Sequence, residues 1–166
     1  MPEQQHRRFL AIDYGSRRIG LAHGDDELGI ALPAPAAVEA GEAERMEHIA
    51  AEIRARRINV LVVGFPVNMD GSHGYKTREV DAFIGELERR FALPVIRVDE
   101  TLSSYEAESE ISAKRKGGHN ARARQQHRKT GEIDSRAAAV ILQDFFNANG
   151  IGAPSFGDNN AGDDNA

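Results

Sequence analysis

The sequence predicts an α/β protein built on a five-stranded mixed sheet flanked by helices. Three observations point there. Near the start of the chain, a turn bearing Gly15 joins two short apolar runs, the pattern of a β-hairpin. Two later runs, Val60-Leu61-Val62-Val63 and Pro94-Val95-Ile96-Arg97-Val98, have the length and apolar character of strands covered on both faces. Segments of helical periodicity separate these strands, and such alternation implies parallel pairing through right-handed crossovers.

Taken in order, Phe9–Asp13 is the first and central strand, and Ile19–His23 returns beside it. Gly15 and Gly20 have the spacing of a phosphate loop, but Leu21-Ala22 stands where Lys-Ser/Thr is needed, so this is no P-loop. Glu27–Val38 alternates loosely and carries Pro33 and Pro35, which suits an edge strand that frays into a loop. Glu42–Arg57 places Met46, Ile49, Ala50 and Ile53 at helical spacing. Val60–Val63 is closed by Gly64, and the turn formers from Phe65 to Ser72 read as a loop. Val80, Phe83, Ile84, Leu87 and Phe91 mark a second helix, after which Pro94–Val98 runs straight into Asp99-Glu100. Ser103 with Glu106 forms a capping box for a third helix. The last helix starts near Asp134, with Ala137, Ala138, Ile141 and Phe145 on its inward stripe.

At 166 residues, 40% hydrophobic and 28% charged, the chain is long enough to bury one core and has the composition of a soluble globular protein. The expected organisation is a flexible N-terminus over residues 1–8, one domain over 9–149 and a disordered tail over 150–166. That tail is rich in Gly, Asp and Asn and has little to bury. No apolar run approaches the roughly 20 residues of a membrane span, and Met1–Arg8 is too polar for a signal peptide. The absence of cysteine excludes disulfides and thiolate metal sites. A cytoplasmic protein is expected.

The net charge is −5, but the charges are segregated. Residues 113–130 hold Lys114, Arg115, Lys116, Arg122, Arg124, Arg128 and Lys129 with no acid, which leaves the rest of the chain at −12. A concentrated basic segment on an acidic body suits a polyanionic partner, although a lone charge run is more often a solvated loop. The segment is expected to be a basic flap binding the phosphate backbone, joined by Arg17 and Arg18 of the first turn.

Ligands of such sheets gather beyond the carboxyl ends of the parallel strands. Asp13 and Glu100 both sit there. Asp134 lies on the inward stripe of the last helix, so the helix dipole accounts for its being an acid but not for its direction. Three acids crowded on one face would repel one another unless a cation neutralised them. Carboxylates that hold divalent ions are a device for hydrolysing phosphodiesters.

At this point the residues are similar to a known family. Ala11-Ile12-Asp13-Tyr14-Gly15 with Arg18-Ile19-Gly20-Leu21-Ala22 resembles its opening motif. Val63-Gly64-Phe65-Pro66 with Asn68-Met69-Asp70-Gly71-Ser72, then Asp99-Glu100-Thr101-Leu102-Ser103, then Ile133-Asp134-Ser135-Arg136-Ala137-Ala138 follow in register. The chain from Phe9 to Phe146 thus resembles the YqgF (RuvX) family, described as Holliday-junction-resolvase-like and as the nuclease maturing the precursor of 16S ribosomal RNA. The resemblance implies a ribonuclease-H-like fold, with Asp13, Glu100 and Asp134 as catalytic, metal-holding acids and Mg²⁺ or Mn²⁺ as cofactor. This sequence departs from the family at Thr101, where Arg is usual, and in its long basic segment and its tail.

The leading expectation is a metal-dependent endonuclease acting on precursor ribosomal RNA. Its alternatives are a Holliday-junction resolvase acting on branched DNA, or a non-catalytic nucleic-acid-binding factor with ribosomal or transcription partners. A monomer or weak homodimer is expected, with no membrane association. An actin-like kinase also carries Asp-x-Gly in its first hairpin, but it needs two such domains and a second phosphate loop.

Overall fold

The computed structural model describes residues 5–67, 74–101 and 131–152. The element order is β1 (Arg8–Tyr14), β2 (Ile19–Asp25), β3 (Leu32–Ala37), α1 (Glu42–Arg56), β4 (Val60–Val67), α2 (Tyr75–Phe91), β5 (Val95–Thr101) and α3 (Glu132–Ala148). The sheet runs β3-β2-β1-β4-β5, with β1 central. Strands β1, β2 and β3 pair antiparallel, while β4 and β5 join in parallel. This is the five-stranded mixed sheet flanked by helices that the sequence predicted.

Alternation along β1 divides the core in two. Leu10 and Ile12 pack with Met46 and Ile49 of α1 and with Phe83, Ile84 and Leu87 of α2. Phe9 and Ala11 face the other way, against Ala138, Ile141, Leu142 and Phe146 of α3. Leu61 and Val63 of β4 likewise serve the first layer and Val60 and Val62 the second. A central strand buried on both faces therefore reads as a continuous apolar run. That run ends where Asp13 and Tyr14 emerge, on opposite faces.

Three expectations are corrected. The edge strand is Leu32–Ala37 rather than Glu27–Val38. Asp25 Oδ1 accepts from the amides of Glu27 and Leu28 (3.0 and 2.8 Å), which folds the residues before β3 into a turn. Strand β4 continues through Phe65, Pro66 and Val67 instead of ending at Gly64, because β5 pairs with it as far as Thr101. The buried stripe of α3 is Ser135, Ala138, Ile141, Leu142 and Phe146, turned from the expected one. Asp134 is half-buried at its flank, since Ser135 takes the inward position.

The first residues of the predicted tail are packed, with the Ile151 amide donating to Phe146 O (2.9 Å) and its side chain against the α3 layer. The Arg7 carbonyl likewise accepts from the Asp26 amide (3.1 Å). The loop over 68–73, the capping-box helix at Ser103, the basic segment and most of the tail lie outside the described residues. No helix among the described residues is long and apolar enough to cross a membrane.

Phe146 is fully buried and meets Phe9 edge-on with ring centroids 5.3 Å apart. Phe146→Ala should cost about 3–5 kcal/mol in chemical denaturation, whereas Val140→Ala on the exposed side of the same helix should stay within about 0.5 kcal/mol. His23 of β2 has its pKa lowered by burial and, next, by the Arg56 guanidinium. The folded state therefore binds its proton less readily than the unfolded chain, so this contribution is complete above the ordinary value of about 6.5 and is lost as pH falls through the folded value. Between pH 7.5 and 5.5, Tm should fall less in His23→Gln than in the unaltered protein.

Candidate active site

Asp13, Glu100 and Asp134 share one face of the sheet. Asp13 follows Phe9 and Ala11 in parity and so lies on the α3 side of β1. Glu100 follows Ile96 and Val98 in the same way on β5, where it pairs with Pro66. Asp134 is the third residue of α3, whose first turn rests on β2.

That seating depends on a glycine. A Cβ on Gly20 would lie 2.0 Å from the Asp134 carbonyl oxygen and 2.2 Å from its carbon, so backbone touches backbone there. Gly20 is the partner of Asp13 in the β1–β2 register, which sets Asp134 one strand away from Asp13. Ser135 fastens the same turn. The β2–β3 register shifts between Ile19 and Leu21, and at this irregularity the Leu21 amide donates to Ser135 Oγ (3.3 Å).

A second glycine shapes the space between Asp13 and Glu100. With Ile12 paired to Val63, Gly64 lies level with Asp13 on the intervening strand. A Cβ on Gly64 would stand 2.7 Å from Ile141 Cδ1 and 3.8 Å from Glu100 Cγ. Ile141 thus fills the place of the missing side chain, with the Glu100 stem at ordinary contact distance beside it. Strands β1 and β5 are two strand spacings, about 10 Å, apart.

Arg18 of the β1–β2 turn donates from Nε to Asp134 Oδ2 at 3.1 Å. The turn is steadied from the other face by Arg45, whose buried guanidinium donates to the carbonyls of Glu39, Ala40 and Ser16. Of the two predicted phosphate contacts in this turn, Arg17 is exposed and Arg18 is engaged with Asp134. The other seven bases lie outside the described residues.

Among the described residues, one group of three metal-ligating side chains has its donor atoms within 4.8 Å of one another, and it is His6, Asp25 and Glu27. The three site acids are spread more widely. Their donor set is all oxygen, drawn from three separate elements, and so fits a hard cation such as Mg²⁺ or Mn²⁺. On the opposite face, Tyr14 stacks on Phe83 with ring centroids 4.4 Å apart. There it borders a cavity of about 240 Å³. Burial and the nearby carboxylates of Glu79 and Glu42 raise its pKa.

Sequence reasoning reached the three acids and missed Gly20, Gly64 and Ser135. Glycine inside a strand is the signal that something approaches closely, and it applies to both glycines. Nothing local in the sequence marks Ser135 as the partner of a strand amide 114 residues away.

The sequence model of one family, RuvX, described as Holliday junction resolvase, matches residues 7–148. A protein of Opitutus terrae named "Putative pre-16S rRNA nuclease" is 50% identical over 140 residues, covering 84% of this chain and 90% of its own. One of the same name from an Anaeromyxobacter species is 41% identical over 139 residues, covering 84% and 96%. The crystal structure of the fowlpox virus Holliday junction resolvase is 11% identical with a TM-score of 0.47, covering 85% of this chain and 98% of its own.

Because its missing Cβ admits the α3 backbone, Gly20→Ala should lower stability by about 1–3 kcal/mol or more in denaturant unfolding. Gly85→Ala is the control. There a Cβ meets only the flexible end of Arg89 at 3.4 Å, and the change within α2 should stabilise by up to about 1 kcal/mol.

Proposed function

The chain belongs to the RuvX family, and from that membership we propose that it is a metal-dependent endonuclease which hydrolyses phosphodiesters in the maturation of the precursor of 16S ribosomal RNA, in the cytoplasm. The observation that carries this reading is the common face of Asp13, Glu100 and Asp134, at the carboxyl ends of β1 and β5 and in the first turn of α3. The name shared by the relatives points to the RNA substrate.

Asp13, Glu100 and Asp134 are the residues that would hold Mg²⁺ or Mn²⁺. Such an ion supplies Lewis-acid activation of the attacking water and stabilises charge on the leaving oxygen. Gly64 admits Ile141 beside the Glu100 stem, which packs the floor between Asp13 and Glu100. Asp134 is aimed by the backbone seat on Gly20 and held by Arg18, which balances its charge. Arg17 and the basic segment from Lys114 to Lys129 bind the phosphate backbone, and counterion release makes that binding salt-sensitive.

One observation favours a second reading. Asp134 is already paired to a guanidinium and the acids stand apart, as they would in a factor that binds nucleic acid without cutting it. The test is Mn²⁺-dependent cleavage of precursor ribosomal RNA and of a four-way DNA junction by Asp13→Asn, Glu100→Gln and Asp134→Asn, with Tm recorded for each. Each substitution keeps side-chain shape and removes a charge. Cleavage should fall by orders of magnitude while nucleic acid binding and Tm are retained. Undiminished cutting would end the nuclease assignment. Lost Tm without a selective loss of cleavage would make the acids structural, and preferred cutting of the junction would move the substrate to DNA.

A further inference from the structure

At the other end of β1, about 20 Å along the strand from Asp13, His6 meets the turn that follows β2. The donor atoms of His6, Asp25 and Glu27 all lie within 4.8 Å of one another. The two segments that carry them are fixed by backbone bonds. Asp26 N donates to Arg7 O (3.1 Å), Gly29 N donates to Asp25 O (3.0 Å), and Asp25 Oδ1 accepts from two amides of its own turn.

This group differs from a bare acidic patch in its imidazole and in how that ring is held. His6 Nδ1 stands 2.8 Å from Asp26 Oδ1. That contact leaves Nε2 as the ring nitrogen turned away from Asp26. Nε2 lies 3.7 Å from Glu27 Oε2. Two donors that share a tetrahedral ion at about 2.1 Å stand about 3.4 Å apart, so this gap is near the span of a chelate. Asp26 is itself steadied by Arg7 (Nε to Oδ2, 3.4 Å). An imidazole with one nitrogen oriented by an outer carboxylate and the other turned to further carboxylates is the arrangement by which proteins present histidine to a metal.

We propose that His6, Asp25 and Glu27 form a transition-metal site that staples the start of β1 to the β2–β3 turn, separate from the three acids at the opposite end of the sheet. One imidazole with two carboxylates selects a borderline cation over Mg²⁺, and Zn²⁺ is the ion expected to bind most readily among those with flexible geometry. Ions that bind the folded state alone raise its stability.

The test is isothermal titration of the full chain with Zn²⁺, with Tm followed in parallel. A rising Tm and one Zn²⁺-binding event that depends on His6 are expected, besides any ion taken up by Asp13, Glu100 and Asp134. His6→Ala and Glu27→Gln should each weaken the affinity at least tenfold. His6 precedes β1 and is partly exposed, so both proteins should stay folded without the metal. Asp134→Asn should retain the binding event that His6→Ala removes. No heat and no Tm change on adding Zn²⁺ would overturn the site. So would affinity undiminished in His6→Ala, or affinity lost in Asp134→Asn, which would assign the ion to the carboxylates instead. The absence of Mn²⁺-dependent cleavage would count against the nuclease reading and leave this measurement unaffected.

Discussion

The contact of α3 with β2 at Gly20 is the constraint on which the candidate site depends. A helix normally stands off a sheet by the depth of two layers of side chains. Here its first turn descends until the Asp134 carbonyl occupies the place of a side chain. The α3 layer below it is built for the same approach, with Ala11, Ala22 and Ala138 between the larger Phe9, Ile141 and Phe146. Small residues let the helix in, and Ser135 repays a strand amide that the register shift leaves to it. Asp134 is thereby delivered at backbone precision, which a long flexible side chain on a distant scaffold could not offer.

Electrostatics then has to be managed locally. Half-buried acids on one face of a sheet end repel one another, and the fold places Arg18 on Asp134. Arg18 is kept in range by a turn that is itself tied down from the other side, through the Arg45 bond to Ser16 O. The two faces of the sheet are thus coupled at the β1–β2 turn. Arg45 costs desolvation energy to bury, and three carbonyl acceptors offset it.

Much of this was legible in the sequence, and for a physical reason. A strand covered on both faces writes itself as an unbroken apolar run, so β1 and β4 could be read directly. Strand β5, expected to be covered on both faces, is instead an edge strand with Arg97 and Asp99 exposed. Asp13 and Glu100 stood out because a charge ending such a run has no bland place to go. The missed features depend on pairing rather than pattern. β4 runs past Gly64 because β5 extends beside it, and no property of Phe65-Pro66-Val67 alone announces that partner. The inward stripe of α3 was misjudged by a fraction of a turn because Ser135, polar by type, occupies a buried position that only the Leu21 amide explains. The His6 group was invisible for the same cause, since His6 lies 19 residues before Asp25 and 21 before Glu27 until β1 and β2 pair.

The edge strand β3 carries a consequence for how copies of this chain meet. An outer strand ordinarily offers a row of amides and carbonyls to any passing β-strand, which is how sheets fuse across molecules. Pro33 and Pro35 lie two apart and so face the same way, and each lacks the hydrogen that a new strand would seek. The carbonyl of Pro35 is occupied as well, by His48 Nε2 of α1 at 2.9 Å. This margin of the sheet therefore has no donor at either proline, and the Pro35 acceptor is already taken. That border is thereby closed to a neighbouring copy's strand, and fusion of sheets between molecules is left to the β5 border alone.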